Sequence, residues 1–472
     1  MKKCISLIIV ALAAIIMISC GEAEFEQPFV WPESIDGQNP FYGETLTIGA
    51  YFYAEWLDRF ARAYRRYYPG VTIEIINLSQ DTDTVSIWDA DPTYVREQMG
   101  IQLMSGTAPV MIEDFLVDYL NPMTIPFFTD WFPVMEADPN FHEEKWLMNA
   151  FDALSRNGRL IGFPMIYDFP FGNSYFTINS TIPGLVEEFA GRQYISLSEM
   201  MEIHSRISAA ITRPVYMTRD FDVLMAVESS IDDFFDFETG RVEFNTPEFI
   251  SFIAHARELT SPGREFNPVS MPFWNEIGDR ALLASLSQRY MFHRVWTVNY
   301  ESFGIFDEDL FFTNPLPYAN QHGELMITPW QTFVLNADAS HAQQALALDF
   351  LRFILEAPDR DSLRLLHFNT VASPFRGSTR TAFEYQPNFY QHRFRELGWR
   401  PIDNSWTHAF EIMIARTQAT QEMPMRDARY APDVIRNAVR EILHQFHDGL
   451  ITAEQAANDL QNRVTLIIME MD

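Results

Sequence analysis

Apolar positions change period several times along the chain, and each change predicts an element. A short apolar run from Thr45 to Ala50 reads as a strand. Behind it, Leu57, Phe60, Ala61 and Tyr64 recur at helical spacing until Pro69 and Gly70 end the pattern. Val71, Ile73 and Ile75 then alternate with Thr72 and Glu74, the period of a half-buried strand. Residues 45–77 therefore read as one βαβ unit with a parallel pair, the building block of an α/β lobe with helices on both faces of its sheet. After an Asp-rich stretch from Gln80 to Asp91, Tyr94 to Met104 reads as a helix that leads through Ser105 to Pro109 into a strand, Val110 to Ile112.

Further helix starts are marked by a Ser or Thr followed three residues later by Glu or Gln. The pairs are Ser196 with Glu199, Ser340 with Gln343, and Thr452 with Gln455. Each can satisfy two backbone N–H groups reciprocally. The last of these helices carries Ala457, Leu460, Val464, Ile467 and Met471 on one face. No internal repeat or low-complexity tract interrupts the chain, and past Cys20 no apolar run is long enough to cross a bilayer.

The first residues bear on the compartment. Lys2 and Lys3 precede an apolar stretch from Ile5 to Ile18, about 14 residues long, which suits a secretory signal rather than a membrane span. It ends in Met17-Ile18-Ser19-Cys20-Gly21, which resembles the lipobox of bacterial lipoproteins. The resemblance implies cleavage after residue 19 and acylation of Cys20. Cys4 is the only other cysteine, so the mature chain would hold no disulfide and no free thiol. Two acyl chains suffice for stable anchoring where one is marginal. Residues 20–43, polar and broken by Pro28, Pro32 and Pro40, read as a tether. The expected location is the outer face of the cell membrane, on the periplasmic side where the cell has an outer membrane.

Size and charge narrow the function. A chain of 472 residues is about three times a typical single domain and suggests two lobes. The net charge of −30, more acidic still without the two lysines, argues against nucleic acid or anionic lipid as the ligand. Aromatic residues make up 14% of the chain, which leaves rings to line a binding surface beyond those a core needs. No catalytic, cofactor or metal signature emerges. Asp81, Asp83, Asp89 and Asp91 are dense, but a calcium loop would need Asp or Asn at Val85 and Gly at Ser86. The 11 histidines are dispersed, and the phosphate-loop and nucleophile-elbow motifs are missing.

Several segments, taken in order, resemble the extracellular sugar-binding proteins of the maltose-binding type, solute-binding family 1. Leu46-Thr47-Ile48 with the helix and Tyr68-Pro69-Gly70-Val71 resembles the opening unit. Ser105 to Val110 resembles the Gly-x-x-Pro-Asp turn, with Val110 in place of the Asp. Gly158-Arg159-Leu160-Ile161-Gly162-Phe163-Pro164 resembles the crossing into a second lobe, and Tyr175-Phe176-Thr177-Ile178-Asn179 the segment after it. Phe333 to Ala337, followed by a capped helix ending Phe350-Leu351-Arg352-Phe353, resembles the return to the first lobe.

The resemblance implies an α/β, two-lobed periplasmic-binding-protein-like fold with a ligand cleft between lobes joined by hinge crossings. Residues 44–160 plus 325–371 would form lobe 1, and 161–324 plus 372–472 lobe 2. It implies capture of a sugar or oligosaccharide for an ABC importer by a monomer that meets the permease subunits and catalyses nothing. Glu113 and Asp114 follow the strand Val110 to Ile112, at the carboxyl end where α/β sheets hold their ligands. Trp296 stands where the family places a ring that stacks on sugar, and Trp330 at the return crossing. Tyr167 and Asp168, just after the crossing strand, join them as candidates, with Trp406, Trp274 and Tyr51. Two alternatives stay open: a secreted lipoprotein glycoside hydrolase, since an acidic chain holds many carboxylate pairs, and a sensory or adhesin lipoprotein that presents its ligand to a receptor.

Overall fold

A computed structural model describes residues 28–34, 39–79, 93–168, 174–178, 187, 191–206, 213–216, 228, 230–259, 290–296, 313–317, 319–355, 423–429 and 431–471. The strands are β1 (Thr45–Ala50), β2 (Thr72–Asn77), β3 (Met111–Glu113), β4 (Phe128–Thr129), β5 (Gly162–Asp168), β6 (Ser174–Ile178) and β7 (Arg213–Tyr216). They continue with β8 (Phe235–Asp236), β9 (Arg241–Val242), β10 (Tyr290–Trp296), β11 (Thr313–Pro317), β12 (Leu325–Asn336) and β13 (Met425–Asp427). The helices are α1 (Ala54–Tyr67), α2 (Thr93–Met104), α3 (Trp131–Ala137), α4 (Met148–Leu154) and α5 (Leu197–Arg206). After them come α6 (Pro247–Leu259), α7 (His341–Leu355), α8 (Asp433–His447) and α9 (Ala453–Met471). Among the described residues, no helix is long and apolar enough to cross a membrane.

The opening βαβ unit forms as the periodicity predicts. β1 and β2 pair in parallel from Thr45 opposite Thr72 to Ala50 opposite Asn77, and β3 pairs in parallel on the other side of β1. Leu57, Phe60, Ala61 and Tyr64 of α1 are all fully buried, which is why the helix lies on this sheet. The sheet runs β13-β12-β3-β1-β2, with β4 and β5 also paired to β12.

β12 organises the molecule. Its first residues, Leu325 to Ile327, run parallel to β13. From Thr328 to Val334 it runs antiparallel to β5, and from Phe333 to Leu335 antiparallel to β3. One strand thus contributes to two cores, with Leu325 and Ile327 in the first and Met326 between them in the second. Phe333 and Leu335 belong to a core with Leu46, Phe60 and Phe350, while Met326 belongs to a second core with Phe249, Ile435 and Leu460. The second core lies beneath α8 and α9, beside a separate sheet ordered β11-β6-β10-β7. All three reciprocal caps form: Ser196 and Glu199 exchange bonds, as do Ser340 with Gln343 and Thr452 with Gln455.

Candidate functional site

β3 ends one residue later than the apolar run Val110 to Ile112 suggests, because Glu113 still pairs with Phe333 of β12. Glu113 is therefore the last strand residue, and Asp114 opens a short 3-10 turn. The Glu113 side chain is fully buried and turned toward the end of β1. Its carboxyl accepts the Tyr51 N–H at 2.7 Å and the Phe52 N–H at 3.2 Å. Burial pushes its pKa up to about 8, against the lowering pull of the Tyr51 N–H and with a further rise from Asp114. Glu113 is thus the anchor that shapes the β1–α1 loop.

That loop presents rings to a cavity of about 410 Å³ at the carboxyl ends of β1 and β3. Phe52 and Tyr53 line it together with Phe115, and Phe52 meets Phe115 edge-on at 4.4 Å. Tyr51, the sequence candidate in this loop, is only 2% exposed and packs in the core against Phe115. The register is off by one residue. Tyr51 closes the core, and its two successors face the cavity.

The far wall comes from the start of α8 and the segment before it, which supply Asp433, Arg436 and Arg429. The Asp433 N–H donates to Asp118 Oδ2 at 3.0 Å, so a carboxylate from the segment whose Val117 and Tyr119 pack with Tyr51 and Leu116 caps a helix of the second core. Arg96 of α2 pairs with Asp433 at 2.6 Å and donates to the Phe115 carbonyl at 2.9 Å. Burial would raise Asp433, but Arg436 and Arg96 outweigh it and hold the carboxyl below its ordinary range. Arg429 pairs with Asp427 at 3.3 Å and faces Asp114 at 3.5 Å. Its guanidinium also donates to the Tyr119 hydroxyl and lies 5.1 Å from that ring's centroid. Burial raises the Asp114 pKa, with Arg429 opposing.

The floor is the crossing itself, where Pro329 and Gln331 of β12 line the cavity. Gln331 holds a left-handed backbone at φ 49°, which interrupts the β5–β12 pairing between Trp330 and Thr332. Such strain in a non-glycine residue clusters at functional sites.

The other sequence candidates fall in two groups. Backbone register brings Tyr167 and Asp168 at the end of β5 opposite Pro329 and Thr328, with Trp330 opposite Ile166. Trp296 closes β10 opposite Ser174, the first residue of β6. Trp274, Trp406, Cys20 and the loop from Asp81 to Asp91 lie outside the described residues. The sequence reading missed Phe52, Tyr53, Arg96, Gln331, Arg429 and Arg436. The Tyr51-Phe52-Tyr53 run at a strand end was a usable signal for the first two. No local pattern marks the arginines, which reach the site from distant parts of the chain.

Among the described residues no group of His, Cys, Asp and Glu side chains is arranged to hold a metal ion. No family model matches the sequence, and no curated protein matches it either. Solved structures do match. The sugar-binding protein MalE from Xanthomonas citri superposes with a TM-score of 0.57 at 13% identity, over 90% of this chain and 98% of that one. A periplasmic oligogalacturonide binding protein from Yersinia enterocolitica gives 0.53 at 12% identity, over 91% and 100%. An extracellular solute-binding protein of family 1 from Alicyclobacillus acidocaldarius gives 0.51 at 13% identity, over 90% and 99%. The chain has the two-lobed α/β fold of the periplasmic binding proteins.

Proposed function

We propose that this protein captures a carbohydrate in the cleft between its lobes and delivers it to the permease subunits of an ABC importer. The observation that carries the reading is the cavity beside the β12 crossing. It combines aromatic faces from Phe52, Tyr53 and Phe115 with polar groups from both cores, on a fold whose solved examples include sugar-binding proteins. Flat rings cover the C–H faces of a pyranose, and the polar groups meet its hydroxyl rim. Pockets where lobes meet are common ligand sites. Trp296, Trp330, Tyr167 and Asp168 extend this site along the crossing, with lobe 1 built from 44–160 plus 325–371 and lobe 2 from 161–324 plus 372–472. The protein works as an exported monomer without cofactor, held at the membrane by acylated Cys20.

A ligand that binds only the native state raises its melting temperature, by about 2.7 kcal/mol of added stability at a hundredfold excess over Kd. A thermal-shift screen of the soluble mature chain against malto-, xylo-, manno- and galacto-oligosaccharides and oligogalacturonates should yield at least one strong shift. A flat response across all glycan classes would overturn the carbohydrate reading. For the anchor, Cys20→Ala should abolish incorporation of a fatty-acid label, and persistent labelling of that variant would remove Cys20 from its role.

A further inference from the structure

The stretch expected to act as a tether, residues 20–43, is not a free leash over its described part. It holds five aromatic residues, Phe25, Phe29, Trp31, Phe41 and Tyr42, where a solvated linker holds few. Phe29 and Trp31 pack against the first core, while Val30 between them is 64% exposed, the alternation of an extended chain laid on a surface. The Phe29 ring stands 4.6 Å from that of His341, and the Val30 N–H donates to His341 Nδ1 at 3.5 Å. Trp31 meets the ring of Phe41 edge-on at 5.9 Å, and Phe41 is itself buried in the first core. Pro28 and Pro32 flank the two rings, and their fixed φ angles reduce the entropy lost when the segment docks. Beyond it, the chain from Asn39 onward is part of the fold. The Gly43 N–H donates to the Gly70 carbonyl at 2.9 Å, and the Thr72 N–H to that of Glu44 at 3.0 Å.

Docking shortens the reach of an anchor and fixes where it leaves the protein. Pro28 stands eight residues after Cys20, and a fully extended chain of that length spans about 28 Å. Were Phe29 and Trp31 released, the free part would run the 19 residues to Asn39, about 65 Å. The point of departure is set by His341, which opens α7. In the same turn Gln343 donates from Nε2 to the carbonyl of Thr45, the first residue of β1, at 3.3 Å. The anchor therefore leaves at the amino-terminal edge of the sheet, whereas the cavity lies at the carboxyl ends of β1 and β3. The six residues of β1 set the two apart by about 20 Å.

We propose that Pro28 to Pro32 form a docked strap, which keeps the edge of the sheet at the start of α7 within about 28 Å of the bilayer and makes that edge the membrane-facing surface of the protein. The proposal rests on the anchor reading at Cys20 above. The protein then presents its cleft by pivoting about one fixed corner of the first core, with the cavity at the far end of the sheet, and does not range over the membrane on a long leash.

Energy transfer from protein to bilayer tests the proposal on the processed, lipidated chain in vesicles of phosphatidylethanolamine and phosphatidylglycerol. With Cys20 acylated, Ala337→Cys supplies a single thiol for a donor dye just ahead of α7, and the acceptor is carried on the lipid headgroups. The expected result is strong transfer in this protein, falling about twofold or more in the Phe29→Ala/Trp31→Ala variant as the free anchor lengthens from about 28 to about 65 Å. In the soluble mature chain the same two substitutions should speed cutting after Glu33 by a glutamate-specific protease roughly tenfold, because a docked segment is cut only when it opens. Glycan affinity should stay unchanged, since the strap lies at the other end of the sheet from the cavity. Equal transfer with and without the two rings overturns the proposal and leaves the anchor standing. Equal cutting after Glu33 in parent and variant also overturns it, since the rings would then hold nothing down. Failure of the processed chain to float with the vesicles overturns the proposal together with the anchor on which it rests.

Discussion

Glu113 shows how a residue can be found in sequence for one reason and prove useful for another. Its position at the end of a strand singled it out as a ligand group, but its carboxyl is spent on the backbone of Tyr51 and Phe52. What reaches the cavity is the consequence, a loop held so that Phe52 and Tyr53 point outward. The raised pKa gives this anchor a pH signature. A carboxyl whose folded value is about 8, above its ordinary 4.5, contributes stability that is fully present below the ordinary value and lost as pH rises through about 8. The melting temperature of the native protein should therefore fall between pH 5 and 9 relative to that of Glu113→Gln, which cannot ionise. Parallel melting curves for the two proteins across that range would show that Glu113 is already ionised when folded, with the backbone N–H groups outweighing burial.

At the scale of elements, most of the fold was legible because local signals and tertiary demands agree. β1 keeps the predicted bounds Thr45–Ala50, and the three capping pairs open α5, α7 and α9. The crossing motif also has a physical reason. A Cβ on Gly162 would come within 2.7 Å of both Thr332 and the Tyr119 ring, so only glycine lets β5 enter between β12 and the wall of the cavity. Register was less legible. The reading ended the strand at Ile112, one residue before β3 ends, and the partners of Glu113 lie 62 and 61 residues earlier in the loop after β1, where no local pattern points to them. The site was least legible of all. Arg96, Asp118 and Asp433 meet across more than three hundred residues of chain, joined by pairing that only the folded state creates.

At the scale of the molecule, those same three residues tie the second core to a third, the one around Tyr51 and Leu116. α2 belongs to the core around Tyr51 and Leu116, whereas α8 buries Ile435 and Leu443 in the core with Phe249. Arg96 to Asp433, and Asp118 to the Asp433 N–H, therefore join these cores next to the cavity and, with the lobes divided as proposed above, bridge them there. Contacts made only when the lobes are close stabilise the closed form and not the open one. The apparent affinity for a solute scales with the closed population, so weakening this tie must weaken binding even though Asp433 is matched by arginines rather than by the solute. The pair is about a quarter exposed on each side, 28% and 24%, which places its worth near that of a partly screened ion pair, about 1 kcal/mol. Asp433→Ala should accordingly lower glycan affinity roughly 3- to 10-fold and enlarge the radius of gyration of the ligand-free protein, with saturating glycan restoring the smaller radius. Calorimetry and small-angle scattering on the same samples separate the possibilities. Unchanged affinity and radius with a lowered melting temperature would mean that α2 and α8 move as one body and that the hinge lies elsewhere.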